Sequence, residues 1–539
     1  MNAHMGELND AIEAIPKTQG ELKDAAVKLA EHIKNPQGGG SALGGLMFAQ
    51  YLGGSVASAM VNLTQPFTMT FPYLAQYGGA GKSAARMLDA VRLAGKKTTG
   101  DAKLDAALKW ATEEGIVSPQ EIHQLKAQAA GKGVLQSGDG TKLGDSKAAI
   151  GNVMSKINLG WGKLFSMAEL TNRRVTFIAA YNTAIKEDIP HPEKFAAEAV
   201  AATQGVYNAG NKPAWGRSTL GGLAMTFKQF SISNIELLSR MATAGEPGSP
   251  ERAAGQKGAL TMVAVMLLMG GANGLPFEQD MEDVLDGILQ RMGYNFSSKR
   301  AKQEFLINTL GQDGSDVALR GLSGLPGVPI DIAGRFSMGK LIPGTGLLTK
   351  KDSHASDVAE LFGPVADVAK RAFDAGNKLV DGKFVDAATA VMPASIRNIA
   401  KGADMMHTGM YRDDRGYKVN DTTPTESVMK MVGFQPNSTA HVQDAKGQAL
   451  DVVGQARMES KDIQEQWAQG LAAGDQDMVK EARQRRDEWN AKNPDTPIVI
   501  SMPSVIKRVR EMKMSAIERT RLIAPKALKA AVGRELSQV

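Results

Sequence analysis

The stretch from Gly258 to Phe277 constrains the fold of this chain more than any other. It reads GALTMVAVMLLMGGANGLPF, and no charged residue lies between Lys257 and Glu278. About 20 apolar residues cross the hydrocarbon core of a bilayer, whereas an apolar run of about 10–14 residues is typical of a buried core helix. Glycines and a proline in the second half predict a helix over residues 259–269 that then breaks. A buried core helix and a membrane helix both remain open.

A second region without charge supports the membrane interpretation. No charged residue lies between Asn35 and Gly81, in a chain of which 22% is charged. Its many small residues predict a close helix–helix seam of the kind found in membranes, and a buried hairpin in a soluble core is the alternative. The candidate membrane-contact residues of the two regions are Leu52, Val56, Ala259, Leu260, Val263, Val265, Leu267 and Leu268.

Composition and pattern predict an all-α, elongated protein with Gly/Pro-rich loops, in which helical hairpins associated with a membrane are one arrangement. Aromatic residues make up only 5% of the chain, whereas glycine (58) and methionine (27) are abundant, and few stretches alternate with period two. Small residues allow helices to approach closely, and methionine fills irregular gaps. The predicted regions are 1–130, 147–245, 246–350, 351–410 and 428–539, with an irregular but ordered part at 311–349 and a polar linker at 411–427. Two long charged helices are predicted within the last region, at about 441–471 and 475–490.

Four local patterns make specific predictions about helices. Glu169 and Arg173 are four residues apart on a predicted helix, so that one face can pair them beside Asn172, and a structural role is favoured over a catalytic one. A helix before residue 245 is expected to form a hairpin with the apolar stretch through a Gly/Pro turn. Its predicted apolar stripe is Leu223, Phe227, Phe230, Ile235 and Leu238. An acidic helix after Phe277 is predicted to have one apolar face formed by Met281, Val284, Leu285, Ile288 and Leu289.

The positive charge of the chain is concentrated at its C-terminal end. The formal net charge is +6, and residues 505–539 contain nine basic and three acidic residues, which equals that net charge. A helix capped by Ser504 is predicted there, with Val505, Val509, Met512 and Ile517 near one stripe. A solvated helix face, contact with DNA phosphates and contact with anionic lipid are the three interpretations. The candidate anionic-surface residues are Lys507, Arg508, Arg510, Lys513, Arg519 and Arg521.

The sequence offers little support for catalysis, a metal or a cofactor. Cysteine is absent, which excludes disulfide frameworks, thiolate zinc sites and cysteine nucleophiles, and the seven histidines are scattered singly. The segment GGAGKS at 78–83 lacks the first glycine of a phosphate-binding loop, because Gln76 stands in that position, and it is interpreted as a glycine-rich helix start. We therefore expect no catalytic residue, no metal site and no cofactor.

Several phrases occur in an order that resembles a known family. They are YLGGSVASAMVNLTQ at 51–65, MAELTNRRVTFIAAY at 167–181, GRSTLGGLAMTFKQF at 216–230, GVPIDIAGRFSMGKLIPGTG at 327–346, MPASIRNIAKG at 392–402 and TPTESVMKMVGFQP at 423–436. Together they resemble the C-terminal regions of very large internal virion (ejection) proteins of short-tailed bacteriophages, often labelled PLxRFG or large polyvalent proteins. The resemblance covers most of residues 40–440.

The resemblance implies a protein that is packaged inside the capsid and released with the genome. It implies assembly into a DNA-conducting conduit through the host envelope, with localisation in the periplasm and inner membrane after ejection. The implied partners are other virion and ejection proteins, portal or tail proteins, phage DNA bound without sequence preference, the host inner membrane and further copies of the chain.

Two alternatives to this function remain. One is a soluble helical scaffold or head–tail protein without membrane contact, and the other is a module that processes peptidoglycan or DNA. Some ejection proteins carry a lytic transglycosylase whose acid is a glutamate followed by serine. Glu459-Ser460 is such a pair, but it lies in a charged helical pattern without the surrounding motif.

Overall fold

The structure, a computed structural model, is dominated by helices, which confirms the predicted all-α class. It describes residues 55–118, 166–204, 229–292, 297–336, 345–349, 394–413, 415–494, 496–514 and 529–536, with the single residues 27, 371 and 373. Helix accounts for 78% of the structure and strand for 3%. The chain forms two compact units. The first takes the described residues of 1–282, 301–347 and 355–442, and the second those of 283–300, 348–354 and 443–539.

The helices of the described chain are α1 (Val56–Asn62), α2 (Phe71–Gly78), α3 (Ala80–Ala94), α4 (Ala102–Glu113), α5 (166–186), α6 (Pro192–Thr203), α7 (Gln229–Ala242), α8 (Pro250–Gly270), α9 (Glu278–Arg291), α10 (Ser298–Arg320), α11 (Ala333–Phe336), α12 (Ala394–Thr408), α13 (Pro424–Val432), α14 (Asn437–Ala473), α15 (Gln476–Lys492), α16 (Met502–Lys513) and α17 (Lys529–Leu536). A π-helical turn covers Pro66–Thr70, and 3₁₀ turns cover Ala272–Gly274, Gly321–Gly324 and Thr345–Leu348. Two small antiparallel ladders pair β1 (Ile330–Asp331) with β4 (Gln435–Pro436) and β2 (Met410–Arg412) with β3 (Lys418–Asp421).

The larger core of the first unit is built by α2 to α6. Its fully buried members include Leu74, Met87, Phe177 and Ile178, and alanines fill the spaces between the helices. Local signals place these helices. The Asp101 side chain accepts hydrogen bonds from the first turn of α4, and Gly79, with φ of 77°, begins α3. The GGAGKS segment is therefore a glycine-rich helix start, as its sequence predicts.

A buried polar network crosses the middle of this core. The hydroxyl oxygen of Thr70 lies 2.8 Å from that of Thr176 and 2.9 Å from that of Thr203. The side-chain amide of Gln204 donates to Thr70 and to Thr176, at 3.1 and 2.8 Å. Buried polar groups are tolerated when they bond to one another, so this network fixes how α5 and α6 pack on the turn before α2.

Glu169, Asn172 and Arg173 lie at the edge of the same core, in the structural role that the sequence favours. All three are buried. Glu169 accepts a 3.0 Å hydrogen bond from Asn62, and Asn172 donates to the Asn62 carbonyl at 2.7 Å. Arg173 donates to the carbonyl of Gln204 at 3.2 Å. Burial raises the pKa of Glu169 above its ordinary value, against the opposing effects of the Asn62 hydrogen bond and the Arg173 charge.

Helices α7 and α8 form the predicted hairpin. Ser249 caps α8, and Pro250 occupies its first turn. Arg252 then reaches back and donates to the carbonyls of Ala242 and Gly245, at 3.2 and 2.8 Å, which ties the two helices together at the turn. The predicted stripe on α7 is confirmed in part, because Leu238 packs against the core and Ile235 is half-buried. The fully buried side chains are Asn234, Leu237 and Met241, which the stripe did not include. Leu223 and Phe227 lie outside the described residues.

Helix α8 is longer than predicted and packs through its small residues. It extends over 21 residues and begins at Pro250, because the Ser-Pro cap starts the helix before the apolar run. Its buried side is Gly255, Gly258, Ala259, Met262, Met266 and Gly270. A Cβ atom on Gly255 would lie 2.2 Å from the carbonyl oxygen of Met241 in α7, and one on Gly258 would lie 3.0 Å from that of Pro72 in α2. Contacts this close exclude any larger residue.

The predicted break after residue 269 is confirmed at Gly271. This residue has φ of 66° and passes so close to the Leu319–Arg320 backbone that a Cβ atom would lie 2.2 Å from the carbonyl carbon of Leu319. The expectation of irregular structure from residue 311 is wrong, because α10 continues through a kink at Gly311 and ends at Arg320. Arg320 forms a 3.0 Å ion pair with Asp331 in β1.

The predicted polar linker at 411–427 is also wrong. It contains the β2–β3 hairpin and the start of α13, which is fixed by a capping box between Thr423 and Glu426. Helices α12 and α13 pack closely at Gly402, where a Cβ atom would lie 2.7 Å from both the Met431 nitrogen and the Ser427 carbonyl oxygen. The short hairpin has no periodicity that would have revealed it, but Thr423-Pro-Thr-Glu426 is a local signal for the start of α13 that the linker interpretation missed.

The second unit is organised around α14, α15 and α16, where the sequence predicts three charged helices. Its buried core contains Ile463, Trp467, Ala468, Val479, Ala482, Ile498 and Val505. Val505, Val509 and Met512 of α16 pack into this core, as predicted, but the capping residue is Ser501 and not Ser504. Ile517, the fourth residue of the predicted stripe, lies outside the described residues. Asn490 holds the connection between α15 and α16 by bonding to both the amide and the carbonyl of Ile498, at 2.7 and 3.1 Å.

The contact at Gly402 predicts a specific loss of stability. Gly402→Ala is expected to lower the free energy of unfolding by about 1–3 kcal/mol, because the methyl group meets backbone atoms that cannot move aside. Gly447→Ala is the matched control, since its Cβ atom has open space within α14. That substitution is expected to raise stability by about 0.5–1 kcal/mol through helix propensity. Denaturant unfolding of both variants measures the difference, and equal effects would contradict the assigned packing.

The raised pKa of Glu169 predicts a pH dependence of stability. Below an ordinary pKa of 4.5 the carboxyl is protonated in both the folded and the unfolded chain. As pH rises above this value, the carboxyl ionises in the unfolded chain before it ionises in the folded chain. The folded state therefore loses stability until the pH passes the pKa of Glu169 in the folded chain. The free energy of unfolding of the natural chain should therefore fall relative to that of Glu169→Gln from about pH 4.5 upward. A difference that stays constant with pH would show that folding does not shift the pKa of Glu169.

Candidate functional site

The candidate membrane-contact residues on α8 divide between two faces. Ala259 belongs to the core, and Val263 and Val265 are half-buried. Leu260, Leu267 and Leu268 face solvent, and Leu260 is 70% exposed. The face that the structure leaves uncovered therefore consists of the leucines, with Ala264 between them, and we call Leu260, Ala264, Leu267 and Leu268 the α8 outer face.

A second uncovered apolar stripe follows the charge-free segment. Val56, Met60, Leu63 and Phe67 are all exposed, and their spacing of four, three and four residues places them in one line along a helix. This line passes from α1 into the π-helical turn before α2. Of the predicted candidates in this segment, Val56 lies on the stripe and Leu52 lies outside the described residues.

Helix α8 meets the length and composition of a membrane-spanning helix. An 18-residue window within it has a mean hydropathy of 1.3, and 33% of that window is buried. Among the described helices it alone meets both criteria. Core helices of soluble proteins can also meet them, so the informative observation is that two thirds of the window is not buried.

The apolar face of α9 is a third exposed surface, to which the sequence assigned no role. Met281, Val284, Leu285 and Ile288 face solvent, as does Met292, whereas Leu289 is half-buried. The acidic residues of α9 lie on its other sides and are engaged. Asp280 accepts a 3.0 Å hydrogen bond from Thr345, and Asp286 accepts one of 2.8 Å from the Ser298 amide. The sequence pattern identified the apolar stripe, but periodicity alone does not show whether a stripe is covered.

The candidate anionic-surface residues also divide into two groups. Arg508 forms ion pairs with Glu465 at 3.2 Å and with Glu511 at 3.4 Å, so its charge is used within the unit. Lys507 is exposed and lies 3.8 Å from Glu511. Arg510 and Lys513 are exposed and form no ion pair within the described chain. Arg519 and Arg521 lie outside the described residues.

Glu459 has a structural partner. It is buried, and Arg485 donates to its two oxygens at 2.5 and 2.9 Å. Because both of its oxygens are engaged in this bidentate guanidinium pair, the geometry favours a structural role for Glu459 over that of a general acid. In the described part of the chain no group of three or more His, Asp or Glu side chains is placed to hold a metal ion.

One cleft of the first unit contains ionisable groups. It has a volume of about 390 Å³ and lies between α2, α6 and α7, with Tyr73 and Leu237 among its walls and Glu198 and Arg240 at exposed positions. Burial raises the pKa of Tyr73 far above its ordinary value, so its phenol stays protonated and cannot serve as a base. No nucleophile is paired with a base among these lining residues, so the cleft provides no catalytic arrangement.

Comparison of this chain with protein-family models, with curated proteins and with solved structures returns no match. The surfaces described above are therefore interpreted from their own chemistry.

The Glu459–Arg485 pair predicts a loss of stability on substitution. Glu459→Gln is expected to lower the free energy of unfolding by about 3 kcal/mol, because it removes the buried carboxylate to which Arg485 donates twice. Lys507→Gln in the same unit is the control, since it removes only an exposed pair and should change stability by less than about 0.5 kcal/mol. Chemical unfolding followed by tryptophan fluorescence measures both. A fully stable Glu459→Gln protein would argue against a structural role for this carboxylate.

Proposed function

We propose that this chain is an internal virion protein of a short-tailed bacteriophage, which is released with the genome and helps to form a DNA-translocating conduit across the host cell envelope. The ordered set of phrases between residues 51 and 436 supports the family, and the exposed apolar surfaces of the first unit support contact with lipid. The observation that carries the proposal is the α8 outer face, because its leucines are exposed on the uncharged part of the helix, residues 258–270, which is about 20 Å long.

The uncharged part of α8 fits a contact that enters the bilayer. Charges on α8 are confined to its N-terminal part, at Glu251, Arg252 and Lys257. The other 13 residues, 258–270, are about 20 Å long, which is about two thirds of the roughly 30 Å hydrocarbon core of a bilayer. The buried side of the helix stays packed on α2 and α7 through glycine and methionine. An assembly of several copies would then enclose the packed sides and direct the leucines towards lipid, as helix bundles in membranes do through seams of small residues.

The proposal includes the partners and location that the resemblance implies. In the virion the chain would lie inside the capsid beside other ejection proteins and the portal or tail. After release it would lie in the periplasm and inner membrane of the host as a homo-oligomer, with genomic DNA passing without sequence-specific contact. It requires no cofactor and no catalytic residue.

A soluble virion scaffold or head–tail protein is the second candidate, and the α9 stripe favours it. Apolar residues at positions 281, 284, 285, 288 and 292 have the spacing with which one amphipathic helix packs on another protein helix. In that case protein chains of the virion, and not lipid, would cover the exposed surfaces.

A charge placed on the α8 outer face tests the proposed membrane contact. Leu268→Arg is expected to lower association with phosphatidylcholine liposomes by up to about two orders of magnitude, since an arginine opposes insertion by about 2.5–3.5 kcal/mol at the centre of a membrane helix and by less towards its end. Folding in buffer should be retained, because Leu268 is 57% exposed. Flotation in a density gradient measures the association, and conductance across a planar bilayer measures the conduit.

Leu88→Arg is the matched control. Leu88 is a 54% exposed leucine on α3, and an ion pair between Asp89 and Arg92 lies beside it. The Leu88→Arg protein should associate with liposomes as the natural chain does. If the natural chain fails to float while forming oligomers in buffer, the soluble scaffold is the better assignment. Equal flotation of Leu268→Arg and the natural chain would remove the α8 outer face from the proposal.

A further inference from the structure

The outer side of α16 combines apolar and basic residues in one line. Met502, Ile506, Arg510 and Lys513 are all exposed, and their spacing of four, four and three residues places them along one edge of the helix. Val499, in the segment just before the helix, is 85% exposed although its neighbour Ile498 is in the core. We call these five residues the α16 outer face.

The α16 outer face retains its positive charge. Glu511 is the only acidic residue of α16, and it is turned about 100° from Arg510 around the helix axis. It is engaged there with Arg508 and Lys507, at 3.4 and 3.8 Å. Glu465 of α14 is likewise engaged with Arg508. Within the described chain, Arg510 and Lys513 are left without an ion pair, beside three apolar side chains.

We infer that the α16 outer face is a docking surface for an anionic lipid bilayer. Nucleic-acid phosphates would complement Arg510 and Lys513 but would leave Val499, Met502 and Ile506 in water. The interface of an anionic bilayer complements both sets, because basic residues meet the headgroups while apolar side chains enter the acyl boundary. The combination of charge and apolar exposure therefore selects lipid over nucleic acid.

This inference goes beyond the proposed function and does not depend on it. It concerns the second unit and requires anionic headgroups, whereas the α8 outer face should enter neutral bilayers as well. The two can fail separately. Loss of binding to neutral liposomes in Leu268→Arg tests α8, and the added binding that anionic lipid produces tests α16.

The experiment uses the full chain and two kinds of vesicle, one of pure phosphatidylcholine and one with an equal amount of phosphatidylglycerol. Arg510→Glu/Lys513→Glu is expected to lower the affinity for the anionic vesicles by about 30-fold, to the level of the neutral ones. Val499→Ser/Ile506→Ser should lower it by about 10-fold with no change in net charge. All four positions are exposed, so thermal unfolding should be unchanged for both variants.

Lys480→Glu/Lys492→Glu is the matched control, because both lysines are exposed on α15 and the net charge changes by the same amount. It should lower the affinity for anionic vesicles by less than about threefold. An equal loss in this control would overturn the inference, since binding would then follow net charge alone.

A mixed-sequence DNA duplex provides the last arm of the test. Unchanged anionic-vesicle binding in Val499→Ser/Ile506→Ser, together with lost duplex binding in Arg510→Glu/Lys513→Glu, would assign the surface to nucleic acid and overturn the inference.

Discussion

The close approach of α8 to its neighbours is the contact on which the arrangement of the first unit depends. Gly255 meets the end of α7, Gly258 meets α2, and Gly271, just after α8, meets the end of α10. Since these positions admit no side chain, glycine, alanine and methionine occupy the packed side of the helix, and the leucines must lie on the other side. This reverses the usual amphipathic helix of a soluble protein, in which the larger aliphatic side chains face the core. The glycines that allow this close packing therefore also determine that the leucines are exposed.

Local chemistry in the sequence is sufficient to predict most of the helices. The Gly/Pro turn before α8, the glycine break after it and the charged periodicity of α14 and α15 all depend on neighbouring residues, and the structure contains each of them. The high content of small residues likewise predicted packed helices and not a sheet sandwich, and the structure is dominated by helices. Elements fixed by distant contacts were not predictable in this way. The short strands β1 and β4 pair residues about 105 positions apart, and no local pattern identifies them.

The candidate surfaces were predictable only as sets of residues, not as faces. The run 258–277 is apolar on all sides, so its sequence does not show which side of the helix is buried. Only the packing shows that Ala259 is buried while Leu260 is exposed. The same limit applies to the basic helix. Arg508 forms an ion pair with Glu465 of another helix, whereas Arg510 forms no ion pair within the described chain. The two buried carboxylates have different partners, and both partners come from distant parts of the chain. Glu169 is held by an amide and Glu459 by a guanidinium, and neither partner is visible from the local sequence.

The polar network of the first unit also determines when the chain can fold. Its hydrogen bonds join residues far apart, 107 positions for Asn62 with Glu169 and 133 for Thr70 with Thr203. Closing such long loops has an entropic cost that the α7–α8 hairpin does not have, so we expect the hairpin to form first and the network to close late. At roughly 5–20 residues per second, translation would leave the described part of the charge-free segment, residues 55–81, waiting on the order of 5–20 s for its partners. Its apolar residues would be uncovered during that time, which defines the period in which a ribosome-bound chaperone would be needed.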